Sequence, residues 1–211
     1  MNGAQLQANA KIVLQVSRWD RLKDPLGVME SFARHVVGPT AAYLILAGPA
    51  ATSVRDDPEQ PEVLAELESR CAGLEPDVRA RVRIAQLPME DEHENALIVN
   101  ALQRRADVVV QKSFAEGFGL TVSEAMWKSR PVVASRVGGI QDQIEHGKSG
   151  ILVEPDELEE FALAVVDLLG DSSKAEQLGA RARARVGSTF LVPCHMLAQG
   201  KLISSLLSSR Q

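Results

Sequence analysis

The sequence predicts an α/β domain built on a doubly wound parallel sheet, and three observations carry that prediction. Short β-branched runs alternate with longer amphipathic stretches through most of the chain, as in successive βαβ units. The runs are nearly free of internal charge, as strands are when helices cover both faces of a sheet. The chain has 211 residues, 45% hydrophobic and 24% charged, which is enough to bury a sizeable core.

Taken in order, strands are predicted at Ile12–Val16, Tyr43–Ala47, Val82–Gln86, Asp107–Gln111, Pro131–Ser135 and Ile151–Val153. After the first strand, Asp24-Pro25 supplies a side-chain cap and a ring already set at helical φ, and Leu26, Met29, Phe32, Ala33 and Val36 recur at helical spacing up to Gly38-Pro39. A second helix is predicted from Glu62 to Ala72 and a third from Glu94 to Arg105; the polar stretch TSVRDDPEQP before the second reads as a surface loop. Beyond Pro155 the strand signal stops, and Asp156–Leu169, Asp171–Val186 and His195–Leu207 read as helices, the last two expected to pack against another domain. We therefore expect one Rossmann-like domain over residues 1–190 and a helical tail over 191–211.

Composition excludes several function classes. With 23 Lys and Arg against 28 Asp and Glu, the formal charge of -5 does not suit neutralisation of a nucleic-acid backbone. No run reaches the roughly 18 uninterrupted apolar residues of a membrane span, and MNGAQLQANAK lacks the apolar centre of a signal peptide, so a cytoplasmic location without a membrane span is expected. Cys71 and Cys194 form no Cys-x-x-Cys pair, and no His-Glu-x-x-His pattern is present. His93 in EDEHENA reads as part of a solvated helix start.

In the commonest doubly wound strand order, three-two-one-four-five-six, the sheet reverses between strands one and four, and ligands bind at that reversal outside the carboxyl ends of the strands. This directs attention to Ser17–Lys23 and Lys112–Gly119. The first loop brings Arg18 and Lys23, a planar donor fork and a compact mobile cation, both suited to phosphate oxygens. It has no Gly-x-Gly-x-x-Gly, and the chain has no Gly-x-x-x-x-Gly-Lys-Ser/Thr, which disfavours a nicotinamide enzyme or a P-loop ATPase. In the second, Gly117 and Gly119 flank Phe118 at a helix start, where backbone N–H groups can meet anionic oxygens or hydroxyls. Glu116 and Glu124, separated by about two helical turns, can face one ligand. Trp19 is a candidate to line the cleft and Trp127 to pack in the core or a domain interface. Asn100, Gln103, Arg181, Arg183 and Arg185 read as helix-surface polarity.

The Glu116–Glu124 segment EGFGLTVSEAM, with the Arg18/Lys23 loop before it and PVVASRVGGI after it, resembles the nucleotide-sugar half of a retaining family 4 glycosyltransferase of GT-B fold, over about residues 11 to 190. VNALQRRADVVVQKS and EAMWKSRPVVASRVGGIQDQI are most similar to the trehalose glycosyltransferring synthases, with the trehalose phosphorylases next. The resemblance implies that Arg18 and Lys23 hold the diphosphate and its developing charge, that Glu116 binds hydroxyls of the transferred glucose, and that Glu124 binds the ribose. It also implies contacts from the N–H groups of Gly117, Phe118, Gly119 and Leu120, and a place near the cleft for Gly138 and Gly139, whose other reading is a simple tight turn. It implies no cofactor and no obligatory metal, because Arg and Lys serve the diphosphate. The base of the donor, UDP-glucose or ADP-glucose, would be read by backbone near Gln86–Met89. The partners implied are a nucleotide sugar, a sugar acceptor and a preceding GT-B domain that this chain does not contain, with a homodimer as a further assembly. The chain would then bind donor weakly and not transfer it. A phosphorylase using glucose 1-phosphate and a noncatalytic nucleotide-binding domain stand as the alternative readings.

Overall fold

The computed structural model describes residues 6–50 and 59–208. Strands β1 (Ile12–Val16), β2 (Tyr43–Pro49), β3 (Val82–Leu87), β4 (Val108–Gln111), β5 (Val132–Ser135) and β6 (Ile151–Val153) pair in parallel into one sheet of order β3-β2-β1-β4-β5-β6. All six predicted strands are present, with ends shifted by no more than two residues. Of the loop TSVRDDPEQP, residues 52–58 lie outside the described residues, and 59–61 form the first turn of a helix.

Side chains alternate between the two faces, as the pleat requires. Val13, Leu44, Leu46, Val108, Val110 and Val133 face one layer, which contains α1 (Pro25–Ser31), α2 (Glu59–Ala72) and α7 (Leu158–Gly170). Leu14, Ile45, Val109, Val132 and Ala134 face the other, with α4 (Glu92–Arg105) and α5 (Leu120–Trp127), over which Ala182 and Val186 of α8 (Ser172–Thr189) pack. Burying both faces explains why the strands read as apolar runs.

Local chemistry places the helix starts. Asp24 accepts a hydrogen bond from Gly27 N and Pro25 occupies the first turn of α1, as expected from the sequence. Asp91 caps α4 and Asp171 caps α8 in the same way. The helix expected to run from Pro25 to Gly38 changes character at Phe32–Val36, where it widens into a π-turn that buries both Phe32 and Val36. Two short helices, α3 (Pro76–Arg79) and α6 (Ile140–Gln143), were not foreseen.

The C-terminal helix α9 (Val192–Ser208) contrasts with the rest. None of its residues is buried, and Val192, Met196, Leu197, Leu202, Ile203 and Leu207 are 58% to 71% exposed. Among the described residues, Ser172–Ser208 is the one helical stretch long and apolar enough by length and composition to cross a membrane, and its most apolar part is not buried in the protein.

Candidate functional site

β1 and β4 are neighbours, with Val13 opposite Val108 and Leu14 opposite Val109. The loops that follow them therefore leave the sheet side by side, as the strand order demands. The first loop turns through a 3-10 turn at Arg21–Lys23, capped by Asp20, whose Oδ1 accepts from Leu22 N at 2.7 Å. The second is pinned to it by a backbone bond from Phe114 N to Leu22 O, 2.8 Å.

This junction brings Lys23 and Glu116 together. Lys23 Nζ donates to Glu116 Oε2 at 2.5 Å, with side chains only 15% and 13% exposed. A charge-assisted bond at that depth fixes both groups at the carboxyl ends of β1 and β4. Arg18 lies on the same loop, with its guanidinium on Asp20 Oδ2 at 2.9 Å. Glu124 is exposed on α5, its Oε2 3.4 Å from Gln103 Nε2. The described contacts thus join two of the four charged candidates directly; Arg18 shares the loop with Lys23, and Glu124 lies on the helix that follows the Glu116 loop.

The glycines fall at close approaches. Gly119, at φ +85°, starts α5, and its carbonyl accepts from Val122 N at 3.0 Å. Gly138, at φ +45°, packs so closely beneath the second loop that an added Cβ would lie 1.7 Å from Glu116 O. At Gly139 the same atom would meet Gly117 O at 2.5 Å, and Gly139 N donates to that oxygen at 3.0 Å. Gln143 of α6 donates to Phe118 O. The Gly-Gly turn after β5 therefore supports the Glu116–Gly119 loop from below, while Gly117, Phe118 and Leu120 remain exposed above it.

Several side chains play other parts than expected. Trp19 does not line the cleft; it is 1% exposed, and its Nε1 donates to Pro49 O at 2.7 Å, which ties β2 to the first loop. Trp127 is not in the core but exposed, at 40%, with the Arg183 guanidinium 4.8 Å from its ring centroid. Gln103 is buried rather than surface polar: it bridges Thr121 O, Glu124 and Lys128 Nζ. Burial lowers the pKa of Lys128 from its ordinary value, against the opposing pull of the Glu124 carboxylate. Arg185 is not merely solvated, since it donates to Gln143 O and Asp142 O at 2.6 Å each and so holds the end of α6. Arg181 and His93 are exposed, as expected. Sequence reasoning placed Lys112 at the start of the second loop but gave its side chain no part. This side chain, 3% exposed, pairs with Asp24, and the signal for it is a lysine two residues after the apolar strand run VVV.

A groove of about 460 Å³ lies beside α1, lined by Leu26, Met29, Ala33 and Leu158 and touching Asp24 and Lys112. Neither Lys23 nor Glu116 lines it.

Comparison with known proteins identifies the family of the chain. The family model for glycosyl transferases group 1 matches residues 2–185. A trehalose synthase from Rubrobacter xylanophilus is 42% identical over 195 residues, covering 92% of this chain and 44% of that protein. A trehalose phosphorylase from Grifola frondosa is 32% identical over 185 residues, 82% of this chain and 24% of that protein. Among solved structures, Anabaena HepE in complex with UDP and glucose superposes with a TM-score of 0.72 at 26% identity, covering 95% of this chain and 49% of that one. The chain spans less than half the length of each of these relatives.

Proposed function

The chain belongs to the glycosyl transferases group 1 family, and we propose that it is the donor-binding half of a retaining enzyme that moves glucose from a nucleotide sugar to glucose, forming trehalose. The observation that carries this reading is the Lys23–Glu116 pair at the β1/β4 junction, in a chain 42% identical to a trehalose synthase. Lys23 can turn its ammonium from the carboxylate alone to a diphosphate while remaining beside Glu116, so that one cation meets the leaving group and one carboxylate meets a glucose hydroxyl. Arg18 would add its fork of donors to the same phosphates, which is electrostatic stabilisation of charge growing as the glycosidic bond breaks. Exposed N–H groups at Gly117, Phe118 and Leu120, with Gly119, would contact sugar and phosphate. Glu124 would take the ribose hydroxyls, and backbone near Gln86–Met89, at the end of β3, would meet the base. The acceptor face would come from a preceding domain, against which the helical tail from residue 191 would pack.

The similarity to a trehalose phosphorylase favours a second reading, in which glucose 1-phosphate replaces the nucleotide sugar. Calorimetry with UDP, ADP, GDP and inorganic phosphate separates the two. The donor reading expects one nucleoside diphosphate to bind far more tightly than phosphate. Replacing Lys23 by Ala should then weaken that ligand about ten- to a hundredfold, the loss of one charge-assisted bond. Glu124→Gln should weaken the diphosphate while sparing inorganic phosphate. Phosphate bound as tightly as any nucleotide would transfer the assignment to the phosphorylase reading, and parent-like diphosphate binding by the Lys23→Ala chain would remove the site.

A further inference from the structure

We propose that the buried Lys112–Asp24 pair is a positioning device that sets Lys23 against Glu116; this rests on the donor-site reading above. Lys112 follows β4 and Asp24 closes the loop after β1, so the pair spans the same junction as the Lys23–Glu116 bond, one residue further along the first loop.

The surroundings are built for that contact. The Lys112 ammonium is paired with the Asp24 carboxylate and lies 4.7 Å from the centroid of the Phe114 ring. Asp24 is one of two non-glycine residues at positive φ among the described residues, at φ 44°. Asp, with Asn, is the non-glycine residue type that adopts this left-handed conformation most readily, so the residue suits the turn. It turns the chain sharply after Lys23, ending the 3-10 turn and starting α1. One carboxylate oxygen of Asp24 takes Gly27 N at 2.9 Å and the other takes Lys112. Gly27 is required there, because a Cβ would lie 2.1 Å from Asp24 Oδ2.

Gln15, 1% exposed on β1, completes the link. Its Nε2 donates to Lys23 O at 2.9 Å and its Oε1 accepts from Lys112 N at 3.3 Å. The residues on either side of the Lys23 side chain, and its own carbonyl, are therefore tied to the segment that carries Glu116. An ion pair this deep is a poor way to gain stability, since apolar replacements of buried pairs are often neutral or stabilising. Its value here is geometric: with the backbone of Lys23 held at both ends, the ammonium has little choice but to meet Glu116.

The double variant Lys112→Met/Asp24→Asn tests this, because it removes both charges while Asn still caps α1 and tolerates positive φ. We expect a urea midpoint near that of the parent chain, amide hydrogen exchange across residues 17–24 accelerated at least tenfold, and unchanged exchange in β1 and β4. Affinity for whichever of UDP, ADP and GDP the parent binds most tightly should fall about tenfold, with binding of the corresponding nucleoside unaltered. Parent-like exchange across 17–24, or parent-like diphosphate affinity despite faster exchange, overturns the proposal. If the parent itself binds none of the three diphosphates, the donor reading falls, and the exchange measurement alone then decides whether the pair holds the loop. Should the double variant not fold, Gln15→Met, which leaves the ion pair intact, is expected to move exchange and affinity in the same directions by a smaller factor; no change in either overturns the proposal.

Discussion

The junction of β1 with β4 and the helix α9 treat polar and apolar atoms in opposite ways. At the junction, Gln15, Lys112 and Asp24 are taken out of water and each is given a partner, although the nearby core would accept apolar groups at lower cost. On α9, Met196, Leu197, Leu202 and Ile203 are left in solvent, although apolar side chains are the ones burial rewards. In the first region Gln15, Lys112, Asp24, Lys23 and Glu116 find partners within this chain. The second has an apolar face without a matching surface among the described residues. Polar groups are buried at the junction although apolar ones would cost less, and on α9 apolar groups stay in solvent because no surface among the described residues covers them.

Perturbing the two regions should expose that difference, starting with the largest effect. Lys112→Met alone strands the Asp24 carboxylate and should destabilise the chain by about 3–5 kcal/mol in urea denaturation, with most of the loss recovered when Asp24→Asn is added. Recovery absent from the double variant would mean that packing, not charge pairing, governs the junction. Gly138→Ala forces a methyl into the space held by Glu116 O at a positive φ, and should cost about 3 kcal/mol while loosening the Glu116 loop, read by its hydrogen exchange. At the small end, Leu202→Lys and Ile203→Lys on α9 should each change stability by no more than about 0.5 kcal/mol. A loss of 2 kcal/mol or more for either would show that α9 is stabilised by this chain itself and would remove the contrast.

The sheet was readable because its signal is local: strands buried on both faces are continuous apolar runs, so the six were located to within two residues. The strand order then placed the site loops, and Asp24-Pro25 announced the cap of α1. What the sequence concealed depends on partners far along the chain. Lys112 and Asp24 meet across a strand pairing, Trp19 finds Pro49 O, and Arg185 finds the carbonyls that end α6. Asp24 was legible as a helix cap but not as the partner of a buried lysine, because only the first role is written in neighbouring residues. The helices α3 and α6 escaped for a different reason: with four residues each they are shorter than two turns and leave no periodicity to detect.

If the proposed donor site is right, the neighbouring of β1 and β4 makes ligand capture a conjunction of two events in the life of the chain. As synthesis proceeds from the N-terminus, β1, β2 and β3 with their helices emerge before the segment that carries Glu116, so Lys23 exists for some time with no carboxylate to face. A nascent or proteolysed fragment ending before Val108 has one wall of the junction and a fragment beginning there has the other; neither alone presents the pair. Pairings between residues as distant as Val13 and Val108 are also among the slower ones to form, because a long loop must close first. On that donor-site proposal, competence to bind reports that the two halves of the sheet have joined, and a donor analogue would serve as a probe of completed folding as well as of chemistry.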